Sequence, residues 1–317
     1  MKKQTIRIAV IWIVAMGTLF LGSTNKNKPF TIIAMGDMPY FLPQDYTRFE
    51  NLISYLNKQD QVFNVFVGDI KSSRTNCTNE IYDTMFHYFE TFKLPLIYTP
   101  GDNEWTDCIS ASKDTLFPLQ RLDYLRKVFY SNSLSLGQNK IRLVSQSDRL
   151  NYKTYTENKQ WNYQGVSFAT IHVVGSNNNF DTGYMKSNTE FKERSKANLF
   201  WLNSAFKNAS INNSLGLILF IHADMFEIQA NAGFEAFLKA LKTLTIEYSK
   251  PVLLVHGDSH KFVMDKPFYT DSTHTKVLQN FTRVQVFGEY DMHAVKIVCN
   301  PNNPGLFEIQ TLIVPNN

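Results

Sequence analysis

Four apolar runs in this chain end on Gly-Asp: "FTIIAMGD" at Asp37, "VFNVFVGD" at Asp69, "PLIYTPGD" at Asp102 and "PVLLVHGD" at Asp258. With 14 glycines and 16 aspartates among 317 residues, a random order gives roughly 0.7 such pairs. An acid placed directly after a buried strand projects into the crevice above the sheet edge, and glycine ahead of it lets the backbone turn without a Cβ penalty. Four carboxylates gathered in one crevice repel strongly unless a counter-charge sits among them. Lys71 and Arg74 follow the second pair, but no comparable basic set accompanies the others. Divalent metal ions are the natural counter-charge, and imidazoles should then accompany the acids. "FIHAD" ends another apolar run at His222, and "VHGDSH" supplies His256 and His260.

Such side chains need a sheet edge to gather on. Residues 30–36, 62–68 and 95–99 read as strands. Between them, Phe49, Leu52, Ile53 and Leu56, and then Ile81, Met85, Phe89 and Phe92, recur at helical spacing over 46–56 and 80–92. Strand alternating with helix is the signature of βαβ units under helical cover. Right-handed crossovers gather the strand C-termini along one edge. A helix is expected near 118–130, then a polar, Asn/Ser-rich excursion over 131–164 with a hairpin, a candidate rim for a cleft. Strands resume at 166–174, 215–221 and 251–256, with helices at 189–207 and 233–247. The segments 282–287, 291–299 and 306–313 read as three antiparallel strands. No internal repeat or low-complexity linker interrupts the chain, so residues 28–317 read as one domain.

The order GD, GD, GDNE, H, GDxH resembles the calcineurin-like metallophosphoesterases, which use D-x-H, G-D, G-N-H-[D/E], H and G-H-x-H. The resemblance covers residues 30 to about 262. It implies an α/β fold, a four-layer αββα sandwich with mixed sheets, and a dinuclear metal centre at the strand C-termini. It also implies hydrolysis of a phosphomonoester or phosphodiester by metal-activated water, with a phosphorylated small molecule as substrate. Carried over by motif, Asp37 and His260 bind one ion, Asp69 bridges both, and Asp102 and His222 bind the second. Asp258 stands at the first His of G-H-x-H.

The departures from the family pattern are specific. Pro39 replaces the histidine of D-x-H, Asp102 stands where the family has Asn, and Asn103 stands where it has the histidine that protonates the leaving group. Asn103 is the alternative ligand if the loop shifts by one residue. The resulting set is rich in carboxylate, which favours Mn²⁺, Mg²⁺ or Ca²⁺ more than the parent pattern does, alongside Fe and Zn²⁺. Asn103, His172 and His256 are the candidate catalytic groups, and Asn177 and Asn178 the candidate donors to a phosphoryl oxygen. Each has a packing or ligand-orienting role as its alternative. Pro39 and Asn103 also motivate a reading of another class, a non-catalytic metal- or anion-binding descendant of the same fold. A single-ion hydrolase of another ester is a third.

Composition sets the surroundings. Lys2, Lys3 and Arg7 precede an apolar stretch from Ile8 to Leu21 and then small polar residues, the pattern of a secretory signal peptide over residues 1–24. The stretch is short for a bilayer span, so export is expected, with membrane contact only through the leader. Its removal lowers Lys+Arg from 32 to 29 against 28 acids. A near-neutral protein gives no argument for a nucleic-acid partner. Export permits disulfides. Cys77 follows Asp69 by eight residues and Cys108 follows Asp102 by six, so loops at one sheet edge would carry both. A Cys77–Cys108 bridge is expected, with two buried thiols as the alternative. No Walker loop, G-x-S-x-G elbow or G-x-G-x-x-G occurs, which removes support for nucleotide-cofactor and serine-hydrolase readings.

Overall fold

A computed structural model describes residues 28–108, 117–180, 187–227 and 232–317. The expected leader lies outside them, and no helix among them is long and apolar enough to cross a membrane.

The layers follow from alternation along strands buried on both faces. In β1 (Phe30–Met35), Ile32 and Ala34 join a core that also holds Val65, Ile97, Phe220 and Val255. Ile33 and Met35 point the other way, into a core with Leu52, Met85 and Phe89. Such a strand has no polar face, and so it reads as an unbroken apolar run. β1 pairs in parallel with β2 (Phe63–Phe66), and β2 with β3 (Leu96–Tyr98), with Ala34 opposite Val65 and Val65 opposite Ile97. The helices α1 (Asp45–Leu56), α2 (Asn79–Glu90) and α3 (Phe117–Phe129) contribute the apolar faces that cover this sheet.

The second sheet runs β4 (Val144–Ser145), β5 (Lys159–Tyr163), β6 (Val166–Thr170), β7 (Gly216–Phe220), β8 (Val252–His256), β10 (Phe281–Gln285), β9 (Val263–Asp265). Its central run, β6-β7-β8-β10, is parallel. A short turn, α4 (Gly175–Asn178), follows β6. Trp201, Leu202 and Ala205 of α5 (Ser187–Ile211) and Phe237 and Leu241 of α6 (Glu235–Tyr248) pack on the outer face. Helix, sheet, sheet and helix make the expected four-layer α/β sandwich.

Two expectations change. The C-terminal segments do not form one antiparallel meander. β10 crosses to the second sheet and lies parallel to β8, with Val284 opposite Val255, because Val284 and Val286 belong to the core between the sheets. Only β11 (Ala294–Cys299) and β12 (Phe307–Leu312) form an antiparallel pair, and β11 also pairs with β1. The excursion over 131–164 is also more regular than its composition suggests. It supplies β4 and β5, and Gln164 and Gly165 (φ 45° and 74°) close the β5–β6 hairpin.

Cys77 and Cys108 form a disulfide with a Cα–Cα distance of 5.8 Å, tying the segment ahead of α2 to the loop after β3. Cys299 is a buried free thiol.

Candidate metal centre

Parallel pairing carries Asp37, Asp69 and Asp102 to the same end of the first sheet, and His222 and Asp258 arrive from β7 and β8 across the sandwich. Gly68 turns in the left-handed region as expected (φ 94°), but the other three glycines do not. The left-handed conformation falls also on the acids, Asp37 (φ 56°), Asp69 (φ 57°) and Asp258 (φ 83°), a region aspartate tolerates better than most residues. Gly101 and Gly257 are needed for space instead. A Cβ on Gly101 would collide with Asp69 Oδ1, and one on Gly257 with Asp37 Oδ2. At these two ends, glycine admits the carboxylate of another strand end.

His222 occupies the centre. Its Nδ1 lies 2.7 Å from the Val67 carbonyl oxygen, which fixes a hydrogen on Nδ1 and turns Nε2 towards the acids. Nε2 stands 2.9 Å from Asp102 Oδ1, 3.4 Å from Asp69 Oδ1 and 3.9 Å from Asp258 Oδ1. Asp37 Oδ1 accepts from the Asp258 amide at 2.9 Å, and Asp258 Oδ2 accepts from the Asp224 amide at 2.8 Å. Asp69 Oδ2 accepts from the Tyr40 hydroxyl and from Asn103 Nδ2, each at 2.5 Å, while the Asn103 amide donates to Oδ1 at 3.1 Å. Ligand atoms of Asp37, Asp69 and His222, and of Asp102, His222 and Asp258, lie within 4.8 Å of one another.

Burial raises Asp37 to about 8 and Asp258 to about 6, and it lifts Asp69 well above the carboxylate range. The neighbouring His222 lowers each of the three in part. Burial alone would depress His222, but Asp69 and Asp102 hold it well above the usual imidazole value. Asp102 ends below its ordinary value: burial opposes ionisation, and contact with His222 and Ser176 outweighs it. Four acids and one imidazole therefore compete for too little positive charge. Asp37 Oδ2 is buried without a hydrogen-bond partner, while Asp102 Oδ1 and His222 Nε2, also buried, face each other at 2.9 Å. Lone pairs of this kind, facing one another in a carboxylate cluster, fit divalent cations.

The other candidates take different places. Asn103 joins the cluster as a partner of Asp69 and of Tyr40, 3.0 Å from the hydroxyl. His260 Nε2 lies 3.0 Å from the Tyr40 hydroxyl and 3.8 Å from Asp37 Oδ1, with Nδ1 3.3 Å from Glu289 Oε2. It stands at the rim, outside both groups of converging ligand atoms. His172 is fully buried, its Nδ1 2.7 Å from Glu157 Oε1 and its ring 5.5 Å from Trp105. Glu157 is itself held by Arg126 at 2.6 Å. His256 is buried with Nδ1 2.9 Å from the Gly257 carbonyl and its ring near Phe226. Burial lowers it to about 4. Asn177 Nδ2 donates to the Phe180 carbonyl, and Asn178 accepts from Arg194 and donates to the Gly233 carbonyl. Those amides brace loops and are not directed into the cluster. Tyr40 and Ser176 complete the surroundings of the acids. Tyr40 carries a local sign, its place in "GDMPY", whereas Ser176 carries none.

No protein-family model matches the chain, and no curated protein matches it. Solved structures do resemble it. A dimetal phosphatase from Danio rerio, 13% identical with a TM-score of 0.51, matches over 90% of this chain and 99% of its own. A purple acid phosphatase from yellow lupin seeds (14% identity, TM-score 0.48) matches over 90% of this chain and 54% of its own. An anchor of the inner membrane complex of Plasmodium (9% identity, TM-score 0.47) matches over 92% and 90%. At such identities the likeness is one of fold, and the fold is of the metallophosphoesterase type.

Proposed function

We propose that the chain is an exported, metal-dependent phosphoesterase holding two divalent ions. The observation that carries this reading is the meeting of Asp37, Asp69, Asp102, His222 and Asp258 from five strand ends, with Asp37 Oδ2 buried without a partner and Asp102 Oδ1 and His222 Nε2 buried against each other. Asp37 and Asp69 would hold one ion, with His260 at the rim beside Asp37. Asp102, His222 and Asp258 would hold the other, with Asp69 shared. Bound there, such ions lower the pKa of a water and neutralise phosphoryl oxygens.

The chain's own part is orientation. Tyr40 and Asn103 grip Asp69 Oδ2, and the Val67 carbonyl keeps Nε2 of His222 towards the acids. The leader pattern of residues 1–24 and the Cys77–Cys108 disulfide support a setting outside the cytoplasm.

Metal content measured together with hydrolysis of a p-nitrophenyl monoester and diester tests the reading. We expect close to two ions per chain and turnover of at least one ester, with Asp69→Asn reducing turnover roughly 100-fold or more. Two bound ions with no turnover of either ester would favour a non-catalytic metal- or anion-binding descendant. Asn103 is the observation behind that second reading, because its amide, fixed on Asp69 and Tyr40, has no proton to give a leaving group. A chain that takes up no metal would refute the metal-dependent reading and leave only an anion-binding descendant.

A further inference from the structure

After β6 the chain does something that L-residues avoid. Ser176, Asn177, Asn178 and Asn179 are successively left-handed, with φ of 47°, 54°, 55° and 58°. A run of this kind is sterically unfavourable and persists only where its surroundings enforce it. The enforcing contacts centre on Arg194, which is fully buried. Its guanidinium donates to Asn178 Oδ1 at 2.5 Å and to the Asn178 carbonyl at 2.9 Å. Asn178 in turn donates to the Gly233 carbonyl at 3.0 Å, and the Gly233 amide donates to Asn177 Oδ1 at 3.0 Å. The same guanidinium lies 5.3 Å from the ring centre of Trp105, three residues beyond Asp102.

The turn leads into the metal cluster. A Cβ on Gly175 would come within 2.6 Å of both Asp102 Oδ1 and Asp258 Oδ1, so only glycine allows the backbone this close. The next residue places its Oγ 2.9 Å from Asp102 Oδ2 and 2.7 Å from Asp107 Oδ1. Asp102 is thereby divided. Its outer oxygen is held by a hydroxyl, and its inner oxygen, Oδ1, is buried and faces His222 Nε2 at 2.9 Å.

We infer that Ser176 is a positioning residue for the metal centre. Its hydroxyl, set by the Arg194-clamped left-handed turn, fixes Asp102 Oδ2 so that Oδ1 is presented to an ion. This inference rests on the metal-binding reading above. A partner of this kind on a ligand carboxylate typically changes metal affinity by 10- to 100-fold.

Ser176→Gly separates positioning from folding. It removes the hydroxyl and installs the residue that adopts φ > 0 most readily. Chelator-treated Ser176→Gly should therefore melt no lower than the chelator-treated wild type. Titrated with Mn²⁺ in a calorimeter, the wild type should take up two ions, and the variant should bind one of the two roughly 10- to 100-fold more weakly. Equal affinity for both ions would overturn the inference, as would a lower melting temperature of the metal-free variant. A wild type that takes up no Mn²⁺ would fail at the earlier step and bring down the metal-binding reading with it.

Discussion

A carboxylate that occupies the space of a missing Cβ leaves that neighbour no room to grow. A Cβ on Gly101 would meet both Oδ1 and the backbone nitrogen of Asp69, and a backbone atom cannot swing aside as a side-chain tip can. We expect Gly101→Ala to cost about 1–3 kcal/mol in chemical denaturation, the usual penalty of overpacking. Because the displaced group is a proposed metal ligand, Mn²⁺ binding should weaken as well. Unchanged stability and unchanged binding would show that the end of β3 is looser than its geometry implies. This site was half legible in the sequence. Four Gly-Asp pairs after apolar runs stand out from composition alone, and so does a histidine closing a fifth run. Which histidines face the acids does not stand out. His172 and His222 both end strands, yet Glu157 takes the ring of one and the Val67 carbonyl orients the other. Both partners are distant in sequence, and neither pairing leaves a local trace.

At the scale of elements, the loop that follows β3 depends on contacts beyond its own strand. Cys108 is bonded to Cys77, and the Tyr82 hydroxyl from α2 donates to the Glu104 carbonyl at 2.7 Å. Tyr98, in β3 itself, donates to Glu104 Oε1 at 2.7 Å. The bridge spans a sequence separation of 31, for which restriction of the unfolded chain contributes about 3–4 kcal/mol. Replacing both cysteines by serine should lower the unfolding free energy by about that amount, readable as a shift in the denaturant midpoint. A midpoint that does not move would mean the loop is held entirely by Glu104 and its partners. The spacing of Cys77 and Cys108 behind two Gly-Asp ends made this bridge legible, since both loops had to lie at one sheet edge. β10 was not legible in the same way. Its apolar alternation suits either sheet, and what decides is the space between β8 and β9, set by residues far away in the chain. Helices α1 and α2 were easier, because an apolar stripe at helical spacing is a property of the segment itself.

For the whole molecule, the cluster is a charge problem that folding creates and that a bound cation would relieve. Asp37 rises to about 8 on burial and Asp258 to about 6, and the acids around His222 raise it above its ordinary value. Each of these groups binds its proton more tightly folded than unfolded, so each contributes stability that is lost as pH rises towards its folded value. His256, lowered to about 4, acts oppositely, but its effect is complete by about pH 6.5. Lys159, lowered to about 8 by burial, also acts oppositely, above that value. Asp258 has lost its share by about pH 6, so between about pH 6.5 and 8 Asp37 and His222 dominate, and the chelator-treated protein should melt at progressively lower temperature. Divalent cations reverse the trend because they bind the ionised carboxylates and displace the protons. Ion at about 100 times its dissociation constant adds about 2.7 kcal/mol, which for a chain of this size raises the melting temperature on the order of 5 °C. At a fixed ion concentration the gain should be larger at pH 8 than at pH 6.5, and calorimetry in buffers of different ionisation enthalpy should record protons released on binding. Melting of the metal-free protein that is level or rising across this window would mean the acids are not crowded as the fold places them, and the need for a cation would go with them.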